Sequence, residues 1–236
     1  MDNSRIIEAN LSVVGYVKIN FYGFANEILK IYDKTDEFAR QKNIKHLGVI
    51  SEVFESSSHT RYEYLLLQCF YTDIAEKVYK GDSNTIGSIS VDGKKYFGNS
   101  IIKAWFLLSN FGHTFMTIGD EKSLIQFTKE RKGFRNKLIS DILDNDLKIY
   151  CEKVIREYDY REFHHVLSVW RIYKTCRNKQ LLAKILKIYK LFLLEEHTVK
   201  VDVDKLNQLK YIARFIREVA IVSIDGHYTH LPVNIS

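Results

Sequence analysis

Along most of this chain apolar residues recur at spacings of three and four, the period of an amphipathic helix. Phe21, Phe24, Ala25, Ile28 and Leu29 predict a helix over 20–32, and a similar pattern continues over 37–54. A third helix is expected over 60–79, where Tyr64, Leu67, Tyr71, Ile74, Ala75 and Val78 form an apolar face and Ser58 or Thr60 supplies the cap. Between Gly81 and Gly98 the period changes. Ile86 to Val91 and Lys94 to Phe97 are strand-like runs on either side of Asp92-Gly93. Asp-Gly suits a type I′ turn, whose two central residues both need positive φ, so a β-hairpin insertion is expected at about 84–98. A helix over 99–110 should follow, with Gly112 as its C-terminal cap. Further helices are expected over 122–143, 146–157, 160–175, 179–195 and 203–222, their charged positions forming solvated faces. Residues 225–236 alternate polar and apolar in an extended manner, which predicts a carboxyl-terminal arm at about 224–236 or the cut edge of a longer protein. With no internal repeat, low-complexity tract or linker, residues 1–236 read as one mainly α-helical domain carrying a small β-hairpin insertion.

Composition supports that reading. Of 236 residues, 46% are hydrophobic and 27% charged, which excludes intrinsic disorder, and the single proline, Pro232, leaves long stretches open to helix. The formal charge of +6 permits a polyanionic partner. Basic and aromatic residues interleave at 129–137, where Arg131, Lys132, Arg135 and Lys137 are candidate nucleic-acid contacts, and again at 170–179. In both places a solvated helix face explains the pattern as well. Cys69, Cys151 and Cys176 have no paired spacing, which argues against a disulfide framework and a zinc ribbon and fits a reducing, cytoplasmic setting. No apolar run approaches the roughly 18 to 20 residues of a membrane span, so neither a signal peptide nor a membrane partner is expected.

Two segments carry candidate chemistry: Ser56-Ser57-Ser58-His59-Thr60-Arg61-Tyr62-Glu63-Tyr64 and Leu107-Leu108-Ser109-Asn110-Phe111-Gly112-His113. Together they resemble the HD-domain phosphohydrolases of the deoxynucleotide triphosphohydrolase branch. In that family His-Thr-Arg-Phe-Glu-His supplies one metal ligand and Leu-Leu-His-Asp-Ile-Gly-His supplies two. The resemblance spans about residues 50 to 125 and implies an HD-like helical domain. It places Arg61 where the branch has an arginine near substrate phosphate, and His113 at the histidine that follows the glycine. The three ligand positions read Tyr64, Ser109 and Asn110, and a second family histidine is Ile118 here. A phenol, a hydroxyl and an amide are weak ligands for a divalent ion, so the resemblance implies a catalytically inactive domain with no metal and no cofactor. The family's last aspartate falls at Asp159 or Asp225.

The expected function is therefore a binding or regulatory module. Its remnant cleft of His59, Arg61, Tyr64, Ser109, Asn110 and His113 would take a nucleotide or another phosphate-bearing ligand. Three alternatives stay open: a protein-interaction or assembly module, possibly of a larger protein; a phosphohydrolase whose metal site is rebuilt from Glu63, His113, Asp159, Asp225 or His227 and His230; and a nucleic-acid-binding protein. His164 and His165 point about 100° apart on a helix and are not expected to ligate one ion together. No glycine-rich phosphate loop or nucleophile elbow is present.

Overall fold

The computed structural model describes residues 4–46, 59–79, 87–115, 118–195 and 199–229. It begins with a β-hairpin that the helical reading missed, β1 (Arg5–Leu11) paired antiparallel with β2 (Gly15–Phe21). The alternation is visible in β2, where Val17, Ile19 and Phe21 are buried while Tyr16, Lys18 and Asn20 face outward. Ile7 and Ala9 of β1 lie opposite Ile19 and Val17.

Helices α1 (Gly23–Lys34) and α2 (Glu37–Lys42) follow. The helix expected over 37–54 stops at Lys42. Asn43 caps it by donating its side-chain amide to the Ala39 carbonyl at 3.0 Å, and Lys45 bridges to Thr60 in an extended arrangement; the remainder of that stretch, 47–54, lies outside the described residues. Thr60 is the expected cap of α3 (Arg61–Tyr79), its Oγ1 accepting from the Glu63 amide at 3.3 Å; Ser58 lies outside the described residues.

The second hairpin, β3 (Ser88–Val91) and β4 (Lys94–Phe97), forms where Asp92-Gly93 predicts it, with φ of 49° and 76° at those two positions. It is docked at its turn. Asp92 accepts from the Lys200 amide at 3.1 Å, its own amide donates to the Lys200 carbonyl at 2.9 Å, and Lys187 pairs with its carboxylate.

Helix α4 (Gly98–Asn110) is the centre of the molecule: all of its residues except Trp105 and Ser109 are buried. Its apolar residues bury on several sides, and its buried Asn99, Ser100, Lys103 and Asn110 are each hydrogen-bonded. At about 1.5–3 kcal/mol for each fully buried Ile, Leu or Phe, its Ile101, Ile102, Phe106, Leu107 and Leu108 make it the element on which α1, α3, α8, α9 and α10 assemble.

The predicted helix over 122–143 is two helices, α5 (Ile118–Glu130) and α6 (Lys132–Ser140). Arg131, at φ −96° and ψ 86°, turns the chain between them and lets Phe127 and Phe134 meet edge to face at 5.4 Å. Helix α7 (Asn145–Glu157) starts on an Asp144 cap and ends with Tyr158 in the left-handed region (φ 59°). The helices α8 (Phe163–Thr175), α9 (Lys179–Leu193) and α10 (Val203–Thr229) complete the fold.

The extended arm expected from 224 is helical to Thr229, because α10 keeps an inward face through Ile216, Ala220 and Ile224; residues 230–236 lie outside the described part. One hydrophobic cluster joins both hairpins to the helices. The three cysteines are separately buried as free thiols, and no described helix is long and apolar enough to cross a membrane.

Candidate functional site

The site is built around a close helix crossing at the end of α4. A Cβ on Gly112 would lie 1.8 Å from the His164 carbonyl oxygen and 2.5 Å from the Ser168 amide nitrogen. Glycine is therefore required by the approach of α8 and not as a left-handed cap: Phe111, the C-cap, is right-handed at φ −66°, and Gly112 is not among the positive-φ glycines. The carbonyls left over at this helix end are taken by two arginines. Arg40 donates to the carbonyls of Phe111 (3.1 Å) and His113 (2.6 Å), and Arg171 also donates to Phe111. Both pair with the fully buried carboxylate of Glu37, Arg171 at 2.9 Å. Charge-assisted bonds of this kind hold geometry well. The turn carrying His113 is fixed from behind, and its ring stacks on His164 with centroids 4.3 Å apart and planes inclined by 11°.

In front of this turn opens a cavity of about 610 Å³. Arg61, Tyr64 and Gln68 of α3, Trp105, Ser109 and Asn110 of α4, and His113, His164 and His165 line one side; Lys210, Arg214 and Arg217 of α10 line the other. Five of the six residues expected in the remnant cleft thus share one cavity. The sixth, His59, is buried beside it with its ring 5.0 Å from that of His46, which does line the cavity.

The cavity's electrostatics are uneven. Arg61 is 7% exposed, its Nε is buried without a hydrogen-bond partner, and its guanidinium makes no ion pair with the described residues. The Tyr64 ring centroid is 5.9 Å from its Cζ. Burial pulls the Arg61 pKa below the usual arginine value, with Tyr64 and Glu121 acting the other way. Lys210, Arg214 and Arg217 add positive charge, against Glu162 as the carboxylate on the lining. Trp105 and Phe192 stack at 4.6 Å with planes inclined by 7° and supply an aromatic wall.

The positions that resemble metal ligands do not fit a metal. Tyr64 is buried against the His46 ring at 4.2 Å. Ser109 donates back to the Phe106 carbonyl at 3.2 Å, and the Asn110 amide donates to Phe106 O at 2.9 Å and to Gln68 Oε1 at 3.3 Å. Imidazole and carboxylate donors converge elsewhere. His113, Glu121 and His164 each present a potential ligand atom, all within 4.8 Å of one another. His113 Nδ1 is 2.7 Å from Glu121 Oε1. Burial pushes Glu121 up to about 7, with Arg61 opposing, and holds His113 well below the ordinary histidine value. The Nδ1 atoms of His164 and His165 are buried without hydrogen-bond partners.

The candidates for a rebuilt metal site fall elsewhere, apart from His113. Glu63 accepts from the Ser12 amide at 2.8 Å and from its hydroxyl, tying α3 to the first hairpin. Asp159 follows the left-handed Tyr158. Its amide donates to the Val154 carbonyl in a Schellman arrangement, its side chain accepts from the Arg161 amide at 3.2 Å, and it is exposed. Asp225 and His227 belong to α10, with side chains outside the described part, as is His230 altogether.

Of the basic patches, Arg131, Lys132 and Lys137 are exposed, and Arg135 lines a separate cavity of about 370 Å³ with Lys129 and Arg156. The patch at 170–179 is engaged internally: Trp170 Nε1 donates to Asp141 at 2.9 Å, Lys174 pairs with Asp141 at 2.7 Å, and Arg171 is committed to Glu37.

Sequence reasoning missed Lys210, Arg214 and Arg217, read as a solvated face, and set aside His164 and His165, although both line the cavity with their rings 3.8 Å apart. The 100° between neighbours does not keep either of them from the cavity. A signal was present in the spacing of Lys210, Arg214 and Arg217 at i, i+4 and i+7, which stacks three cations on one strip of helix. Compared with protein-family models, with curated proteins and with solved structures, the chain has no match.

Proposed function

We propose that this protein is a binding or regulatory module of HD-like ancestry whose cavity takes a phosphate-bearing small molecule, a nucleotide being the best fit. The observation that carries the reading is Arg61, a buried guanidinium with no ion-pair partner among the described residues. An uncompensated buried charge costs several kcal/mol, and a protein keeps one where a ligand supplies the missing anion. Phosphate does this well, since guanidinium donates to two of its oxygens at once. Lys210, Arg214 and Arg217 across the cavity suit a polyphosphate or a second phosphate. The stacked Trp105 and Phe192 offer a face to a base, and about 610 Å³ is within the roughly 300–1,000 Å³ range of small-molecule pockets. Weak ligands at Tyr64, Ser109 and Asn110 favour binding over catalysis at the family's metal position, and the reducing interior of a cell is the setting that fits three unpaired cysteines.

A thermal-shift comparison of nucleoside mono-, di- and triphosphates with the matching nucleosides tests the reading. Phosphorylated compounds should raise the melting temperature and nucleosides should not. If no phosphorylated compound does so, the cavity is scaffold.

A further inference from the structure

The donor set at one wall of the cavity is richer than phosphate recognition requires. His113 and His164 stand face to face, Glu121 closes the third side at 3% exposure, and the three potential ligand atoms lie within 4.8 Å of one another. They come from three places in the chain: the turn after α4, the first turns of α5 and the start of α8. The Arg40–Glu37–Arg171 clamp holds the first of these, and the Gly112 approach sets its distance from the third.

We infer that His113, Glu121 and His164 bind one divalent first-row transition ion, at a position distinct from the Tyr64, Ser109 and Asn110 positions. Two imidazole nitrogens and one carboxylate oxygen are the protein ligand set of many zinc and iron(II) sites, whose remaining positions go to water or substrate, here toward the cavity. Magnesium and calcium, which prefer all-oxygen shells, are disfavoured. Ligand atoms around such an ion, with bonds of about 2.1 Å, lie about 3.0–3.5 Å apart. The 2.7 Å between His113 Nδ1 and Glu121 Oε1 and the 4.8 Å limit on the set bracket that spacing. His164 also has a ring nitrogen, Nδ1, that is buried without a hydrogen-bond partner. The inference stands independently of the phosphate reading, because it uses neither Arg61 nor the cations of α10.

The test uses the full chain, untagged and freed of metal by dialysis, titrated with Co²⁺ and then with Zn²⁺. Visible d–d absorption saturating at one Co²⁺ per chain and bleached by Zn²⁺ is expected. His164→Ala and Glu121→Gln, checked for native circular dichroism, should each weaken binding at least about 100-fold, more than the effect of losing a supporting group around a metal site, while Ser109→Ala should leave it unchanged. A wild-type protein with no saturating bands overturns the inference whatever the variants do. So does binding that survives in folded His164→Ala, which would put the ion elsewhere, or binding lost in Ser109→Ala.

Discussion

Two buried cations, one on the central helix and one on the helix beside it, differ in how they are compensated. Lys103, midway along α4, has no exposed surface; its ammonium donates to the Asn20 carbonyl at 2.6 Å and pairs with Asp73, whose other oxygen accepts from the Asn20 amide. Arg61, at the start of α3, is almost as deeply buried, yet it makes no ion pair with the described residues: the Tyr64 ring lies beside it, the Glu121 carboxylate acts on it only at a distance, and it lines a cavity. The first charge is matched within the fold and ties α4 and α3 to the first hairpin. The second has no ion-pair partner among the described residues. A buried charge with its partner in place is architecture; one that lacks a partner and faces a cavity marks a place where something else binds.

The comparison breaks most visibly at Asp73. Asp73→Ala leaves Lys103 buried with only a carbonyl and should cost about 3–5 kcal/mol in urea unfolding; a loss below about 1 kcal/mol would mean that Lys103 does not depend on its partner. Arg61→Leu should do the opposite. Removing an uncompensated charge is expected to stabilise the ligand-free protein by about 1–4 kcal/mol while abolishing nucleotide binding, and a destabilised variant that still binds would make Arg61 structural. Gly112→Ala, whose new methyl group would meet the backbone of α8, should cost about 1–3 kcal/mol as overpacking and also displace His113, visible as a shift in its ring NMR signals.

The smallest effect is one of pH. Burial, with Arg61 adding to it and Glu63 opposing, lowers His59 to about 4, against about 6.5 in an unfolded chain. Between those values the unfolded chain binds a proton that the folded one refuses, so stability falls as pH drops from about 6.5 to about 4. His59→Gln should make that part of the curve shallower. Glu121 acts in the opposite sense, keeping its proton in the folded state up to about 7, but it is common to both proteins and cancels from the difference. An unchanged slope would mean that His59 is not held neutral.

Much of the helical body was legible because period alone carries it, and the second hairpin because Asp92-Gly93 demands positive φ twice. The first hairpin was not, since Phe21 and the residues after it fit a helical period and drew the boundary too early. Arg61, Tyr64, Ser109, Asn110 and His113 came together as the two motifs implied. The opposite wall was not legible: whether Lys210, Arg214 and Arg217 face water or a cavity depends on how α10 packs on α3 and α4, which no local pattern states. Glu121 gave no signal either. It becomes notable only when the chain folds it under His113.

The most direct test of the central claim is calorimetric titration of a nucleoside triphosphate into the wild-type protein and into folded Arg61→Leu. The account predicts saturable one-to-one binding that weakens with added salt and is lost in the variant. Equal binding by both proteins, or by neither, would contradict it.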